Sequence, residues 1–231
     1  MQLNNFMYRN GFFLTIALSV VVVWGFWPSF YSHPLSLKTN LHYVHGVALS
    51  AWFFLLILQP LLIRIRYLKL HSVIGRLSFV IAPIMVISVL LLIHYGQHLQ
   101  PPANDFDYAF LFLLIMNPCI FTLLYGLAIY YRSDAATHAR FMISTAFILA
   151  PAGLDRLMVR SFPDDGTTPV YMGWFGVDLI ILGLAIWDWR SHKRLHVFPL
   201  VLVVMLFDEF SWQFVGKISV WRYFADWFAA L

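Results

Sequence analysis

Seven apolar runs, each about as long as a membrane is thick, constrain the fold of this chain more than any other feature. A transmembrane helix needs about 20 mostly apolar residues to cross about 30 Å of hydrocarbon. The runs cover approximately residues 11–31, 41–63, 73–95, 108–131, 139–160, 170–189 and 196–214. The sequence therefore predicts an all-α, polytopic membrane helical bundle of about seven transmembrane helices, with residues 1–231 as a single transmembrane helical domain.

The composition agrees with a chain whose solvent is lipid. Charged residues make up 11% of the 231 residues and hydrophobic residues 61%, whereas a soluble domain carries about 25% charged residues. The net charge of +4 does not indicate a nucleic-acid partner, because the basic residues lie in short clusters between apolar runs. Such clusters are typical of topology signals and of contact with anionic lipid headgroups. The single cysteine, Cys119, excludes an intrachain disulfide and a multi-cysteine metal site.

The first run has the position of a secretory signal peptide but lacks its other features. It has no small-residue cleavage site, and it ends in a cluster of aromatic residues at 24–31. Aromatic belts are typical of membrane–water interfaces. We therefore predict that this run is retained as a transmembrane helix.

Basic residues fall mainly on one side of the membrane if the seven helices alternate in direction. The side that carries the N-terminus holds ten of the fifteen Lys and Arg residues: Arg9, Arg64, Arg66, Lys69, Arg76, Arg132, Arg140, Arg190, Lys193 and Arg194. Cytoplasmic loops carry the excess of basic residues. We therefore predict a bacterial cytoplasmic (inner) membrane protein with a cytoplasmic N-terminus and a periplasmic C-terminus. The last stretch, residues 217–231, is predicted to be a short C-terminal interfacial helix.

Three basic turns share a pattern in which an Arg ends one helix and a His opens the next. The pairs are Arg66 with His71, Arg132 with His138, and Arg190 with His196. The chain is thus one leading helix followed by three helical hairpins. The three His residues either anchor the helices at the interface and cap the turns, or converge to hold a metal ion or a lipid phosphate.

Two of these turns carry motifs that resemble an uncharacterised family of bacterial multi-pass inner-membrane proteins. The first motif, Leu-His-x-x-x-Gly-Arg, is present as Leu70, His71, Gly75 and Arg76, with Ser72 where the family usually has a basic residue. The second, His-x-Arg-x-Met, is present as His138, Arg140 and Met142. The resemblance covers approximately residues 41–160. It implies a membrane location and no established activity, so it leaves the chemistry open.

Ionisable residues at membrane depth are the candidates for chemistry, because they are costly in lipid unless they are paired or hydrated. Counting about 1.5 Å per residue from the cytoplasmic ends places nearly all of them in the outer half of the bundle. They are His42, His45, His94, His98, Asp155, Asp178, Asp208 and Glu209. His45 and His94 fall at the same depth on neighbouring antiparallel helices. Asn117 lies near the carboxylates, and Gly46 would let a flat ligand or a helix approach His45 closely.

Three function classes fit these residues. The first is a redox protein that binds haem b for electron transfer, with His45 and His94 as the best-matched ligands, His42 and His98 beside them, and quinone as a partner. The second is a metal-dependent, hydrolase-like membrane enzyme. Its zinc or iron ligands would be His45, His94, Asp155, Asp178 and Asp208, with Glu209 as the general base and Asp208 as a further catalytic carboxylate. The third is an accessory or structural subunit of a larger membrane (respiratory) complex, and assembly as a homo-oligomer is open.

A visible spectrum of the purified protein separates these classes best. Soret and α bands in the reduced-minus-oxidised spectrum support haem, and a colourless protein contradicts it. Stoichiometric zinc or iron that is lost in a His45→Ala variant supports the enzyme, whereas a co-purifying complex without metal supports the subunit. A transporter is disfavoured, because three hairpins are too few for an inverted repeat within one chain.

Overall fold

The computed structural model describes residues 3–33, 39–162, 167–192 and 197–231. Within these ranges the chain forms helices and turns, and no strand occurs. The α-helices are α1 (Leu3–Phe26), α2 (Asn40–Arg64), α3 (Leu68–Gly75), α4 (Ser78–Leu99), α5 (Asp105–Tyr130), α6 (Ala135–Ser161), α7 (Thr167–His192), α8 (Val197–Val215) and α9 (Ser219–Ala230), and a π-helix (Trp27–Tyr31) follows α1. The predicted all-α fold class is confirmed.

Within the described ranges, seven helical segments are long and apolar enough to cross a membrane, which confirms the predicted multi-pass membrane protein. The third segment, Leu68–Leu99, contains both α3 and α4 and begins earlier than the predicted start at residue 73. The two helices separate where Ser78 Oγ donates a hydrogen bond of 2.6 Å to the carbonyl of Gly75. A side chain that occupies a main-chain carbonyl competes with the helical hydrogen bonds, and hydropathy does not reveal such a break.

The two ends of the bundle differ in charge. The α2–α3 turn and the start of α6 lie at the same end, because His71 and His138 are close enough for their charges to interact. Arg64, Arg66, Lys69 and Arg132 are exposed there. We call this the basic end, and we call the end that carries the α4–α5 turn the opposite end.

Helix α6 lies at the centre of the bundle, in contact with α1, α5, α7 and α8. It carries a run of small residues without exposed surface, namely Ser144, Thr145, Ala146 and Ala150. Small side chains let neighbouring helices approach closely, which matters in a membrane because lipid supplies no hydrophobic drive for helix association. Around this centre, α2 packs against α1 and α4, and α5 packs against α8.

Helices α1 and α6 cross at two glycines. A Cβ atom added to Gly153 would lie 2.7 Å from Cα of Val22 and 3.2 Å from the carbonyl oxygen of Val21. A Cβ atom added to Gly25 would overlap the carbonyl oxygen of Gly153. The two backbones are therefore in direct contact, with no room for a side chain between them.

Helix α9 confirms the predicted C-terminal helix and docks against α4 and α5. The Nδ1 atoms of His94 and His98 lie 2.9 Å from the carbonyl oxygen of Phe228 and 3.2 Å from that of Ala229. Carbonyls in the last turn of a helix have no main-chain donor, so the two imidazoles cap the C-terminus of α9. On α5, the hydroxyl of Tyr108 donates to Asp226 at 2.7 Å. The place of α9 at the membrane interface stays a prediction.

Candidate functional site

The predicted carboxyl groups come from three neighbouring helices. Helix α6 supplies Asp155, α7 supplies Asp178, and α8 supplies Asp208 and Glu209. Asp178 and Asp208 are buried, with 8% and 4% of their surface exposed, and Asp155 and Glu209 are half-buried. Asp178 and Asp208 lie about 21 and 17 Å from the ends of α7 and α8 nearest the basic end. We call these four residues the acidic site.

Two contacts define the arrangement of the acidic site. The carboxyl groups of Asp178 and Glu209 lie within hydrogen-bonding distance of each other across the α7–α8 interface. Asp155 faces α7 at Gly173, where an added Cβ would lie 2.5 Å from Asp155 Oδ1. Gly173 precedes Asp178 by about 7.5 Å along α7. Asp155 therefore lies between the Asp178–Glu209 pair and the opposite end of the bundle.

Each residue of the acidic site has a buried oxygen that accepts no hydrogen bond from a protein donor. These atoms are Oδ1 of Asp155, Asp178 and Asp208, and Oε1 of Glu209. In the part of the chain that the structure describes, no other buried side-chain nitrogen or oxygen lacks a partner. Buried polar groups are nearly always hydrogen-bonded. Because all four exceptions fall in one region of three packed helices, they mark it as a site for something that donates to oxygen.

The closest basic residue in sequence, Arg156, is occupied elsewhere. Its guanidinium carbon lies 4.1 Å from the centroid of the Phe26 ring on α1, a distance typical of a cation–π contact. One guanidinium nitrogen also donates to the carbonyl of Ala152 at 2.7 Å. Arg156 thus joins α6 to α1 and supplies no hydrogen bond to the orphaned oxygen of Asp155.

A small cavity adjoins the acidic site between α5, α6, α7 and α8. Its polar lining consists of Asn117, Asp208 and Glu209, and its apolar lining of Ile148, Pro151, Trp174 and Met205. It has about 10 Å³ of space for the centre of a water molecule, which is room for about one water. Organic ligands occupy pockets of roughly 300 Å³ or more. The cavity is therefore the right size for water and far too small for an organic cofactor.

No family model, no curated protein and no solved structure matches the chain. The resemblance to a family of multi-pass inner-membrane proteins stays a prediction.

The predicted haem ligands His45 and His94 face different neighbours. His45 Nδ1 lies 3.1 Å from Ser88 Oγ on α4, whereas His94 is bound to α9. Ser88 precedes His94 by six residues, which is about 9 Å along α4. His45 is therefore level with Ser88 and not with His94. The binding of haem b by these residues stays a prediction, and it needs a rearrangement of α4 or α9.

The other two outer histidines have local partners. His42 Nδ1 lies 2.7 Å from the hydroxyl of Thr39, the residue that caps the start of α2. His98 contacts α9, and its ring centroid is 6.1 Å from that of His94. The close approach predicted at Gly46 is made by this chain itself, because the ring of Phe30 lies where a Cβ of Gly46 would be.

The metal hypotheses have no assembled ligand set in the part of the chain that the structure describes. Among those residues, no three or more His, Cys, Asp or Glu side chains are grouped so that they could hold a metal ion. At the basic end, His138 Nδ1 lies 2.7 Å from the carbonyl oxygen of Ala128, which fits the predicted role in turn capping. His196 lies outside the described residues. Zinc or iron binding stays a prediction.

A buried ion pair in the basic half of the bundle was missed by the sequence analysis. Arg140 donates from Nε and Nη2 to the two carboxylate oxygens of Asp188, at 2.8 and 2.7 Å. Its third nitrogen donates to the carbonyl of Ala136 at 2.8 Å. The signal that could have revealed it is Asp188, an acidic residue between two tryptophans near the end of an apolar run. For Arg140 the sequence predicts a place in the basic turn and in the His-x-Arg-x-Met motif, but not a carboxylate partner.

Proposed function

We propose that this integral membrane protein reversibly binds protons at the acidic site, with the Asp178–Glu209 pair as the primary proton-binding group. The observation that carries the proposal is the contact between these two carboxyl groups. A hydrogen bond between two carboxyl groups requires a proton on at least one of them. The pair is therefore a place where a proton is held inside the bundle.

The surroundings of the pair support proton binding. Isolated charges are costly at this depth, and chains of Asp and Glu in membrane proteins serve as proton relays. Asp155 and Asp208 each add a buried oxygen that lacks a protein donor, and the cavity has room for about one water. Asp155, Asp208 and this water would extend the site beyond the primary pair.

We infer that protons exchange with the opposite end of the bundle rather than with the basic end. Ile181 and Leu184 are buried on α7 between the acidic site and the Arg140–Asp188 pair, and they separate the two polar regions. Asp155 lies on the other side of the pair, towards the opposite end. With the predicted topology of a bacterial inner membrane protein, this end faces the periplasm.

Infrared spectroscopy of the purified protein tests the proposal, because protonated carboxyl groups absorb separately from carboxylates and shift in D₂O. We expect the wild type to show a protonated-carboxyl band at neutral pH that weakens as the pH is raised. Asp178→Asn and Glu209→Gln should each shift this band, since each variant removes one partner of the shared proton. The double variant should lose the component of the band that the shared proton contributes, because both carboxyl groups that hold this proton are gone.

The control is Asp226→Asn, which removes an exposed carboxyl group on α9 and should leave the band unchanged. A wild type without a protonated-carboxyl band, or a double variant that retains the full band, would overturn the proposal. A stoichiometric metal ion that is lost in the double variant would instead assign the acidic site to a cation. All variants are compared at equal helical content, measured by circular dichroism.

A further inference from the structure

The connection between α2 and α4 is an exposed elbow, residues 64–77, that combines cations with large apolar side chains. Every residue from 64 to 70 is exposed. Tyr67, Leu68 and Val73 expose 61%, 56% and 61% of their surface. The basic residues of the elbow are Arg64, Arg66, Lys69 and Arg76, all exposed. A soluble surface would not present such apolar residues, but a membrane interface would.

The rotation of α3 is fixed by its contact with α2. Gly75 lies against Gln59, where an added Cβ would be 3.6 Å from the nearest atom of the side-chain amide. Lys69 and Arg76 are seven residues apart and therefore share one helical face, about 20° from each other. Arg76 keeps helical backbone angles as the C-cap of α3, so the face continues to it. Val73 lies on the neighbouring face, beside the two cations.

Neither the elbow nor the part of the chain that precedes it contains an acidic residue. Residues 1–104 contain no Asp or Glu, and the first acidic residue is Asp105, at the opposite end of the bundle. The adjacent α5–α6 turn brings Arg132, His138 and Asp134, but the Asp134 carboxylate accepts hydrogen bonds from Ala136 and Thr137 as the N-cap of α6. Arg66, Lys69 and Arg76 therefore suit an anionic partner from outside the chain.

Arg66 adds an independent observation. Its φ angle is 64°, in the left-handed region that non-glycine residues seldom adopt. Glycine or asparagine would be the usual residue at this point of a turn. An arginine in this position is consistent with a role for its charged side chain that offsets the backbone strain.

We propose that the elbow binds the phosphate headgroup of an anionic phospholipid from the leaflet at the basic end. Arg66 and Lys69 contact the phosphate, and Arg76 extends along α3 to reach it, as long basic side chains do near helix ends. Val73 and Leu77 contact the first part of the acyl chains. One phospholipid molecule would thus supply both the negative charge that matches the cations and the acyl chains that match the exposed apolar side chains. This proposal is independent of the acidic site.

Native mass spectrometry of the purified protein with added lipid tests this proposal. Phosphatidylglycerol is the anionic probe and phosphatidylcholine the zwitterionic reference. We expect preferential binding of phosphatidylglycerol that falls with added salt, since each basic residue near the surface contributes about fivefold in affinity at low salt. The Arg66→Gln/Lys69→Gln/Arg76→Gln variant should lose this preference by about 100-fold.

Two matched variants separate a defined site from general positive charge. The variant Arg160→Gln/Arg190→Gln/Lys217→Gln removes the same number of exposed charges outside the elbow and its neighbouring turn and should keep most of the preference. The variant Arg66→Lys/Lys69→Arg/Arg76→Lys keeps the charge of the elbow and should also keep the preference for phosphatidylglycerol. Equal binding of the two lipids by the wild type, or equal losses in the two neutral variants, would overturn the proposal. Glycerol phosphate added in excess should compete weakly, and full competition by it would assign the site to a soluble phosphate compound.

Discussion

Replacing Asp188 with leucine is expected to lower the free energy of unfolding by about 3–5 kcal/mol. In this variant Arg140 would lose the carboxylate that accepts two of its hydrogen bonds, and its charge would remain in a buried position between α6 and α7. The side chains of the pair expose only 8% and 3% of their surface, so water does not replace the carboxylate. Thermal or denaturant unfolding in a fixed detergent measures the effect.

An exposed ion pair in the same chain supplies the control. Arg222 and Asp105 also form a salt bridge, but their side chains expose 37% and 56% of their surface. Exposed pairs contribute about 0–1 kcal/mol, so Asp105→Leu should cost much less than Asp188→Leu. The double variant Arg140→Leu/Asp188→Leu should recover most of the stability, because it leaves no charge without its partner. Equal losses for Asp188→Leu and Asp105→Leu would show that the buried pair contributes little.

The ion pair and the acidic site differ in how buried charge is neutralised at membrane depth. Arg140 and Asp188 balance each other through two hydrogen bonds and fix α6 against α7. Neither Asp178 nor Glu209 has a cationic partner among the described residues, so in the proposed function their contact depends on a proton. The two are separated by about 15 Å along α7. The Arg140–Asp188 ion pair therefore holds α6 against α7, and α7 also carries Asp178 of the proposed proton-binding pair.

The seven spans were predictable because hydropathy reports directly which residues lipid can solvate. The carboxyl groups on α6, α7 and α8 were also predicted to lie at similar depths, and the contact between Asp178 and Glu209 agrees with that count. Depth along a helix follows from a constant rise per residue. Predicting the depth of a residue therefore needs no knowledge of how each helix is rotated or which helices touch.

Rotation and register are what the sequence did not reveal. The third span begins at Leu68 rather than at residue 73, so the level of His45 falls at Ser88 instead of His94. The rotation of α4 then directs His94 to α9. For Arg140, the missing information was that α6 packs against α7, because only this contact brings Asp188 within reach. Contacts between side chains on different helices depend on how the helices pack, and the hydropathy of one sequence does not report that packing.

Replacing Gly153 with valine is expected to lower the free energy of unfolding by about 1–3 kcal/mol or more. The new Cβ would lie 2.7 Å from Cα of Val22, and a backbone atom cannot turn aside as a side chain can. Helix α1 would therefore have to move away from the central helix α6. Hydrogen exchange should show faster exchange in α1 than in the wild type, alongside a lower unfolding temperature.

Gly126→Ala is the matched control, because a Cβ at this position on α5 meets nothing within 4 Å. Alanine is favoured over glycine within a helix by about 0.5–1 kcal/mol, so this variant should be neutral or more stable. Gly25→Ala, on the α1 side of the same crossing, should resemble Gly153→Val in sign. If Gly153→Val proves as stable as Gly126→Ala, then α1 is held by its contacts with α2 and its crossing with α6 is dispensable. A loss confined to the two crossing glycines means that direct backbone contact between α1 and α6 determines how closely the leading helix packs against the three hairpins.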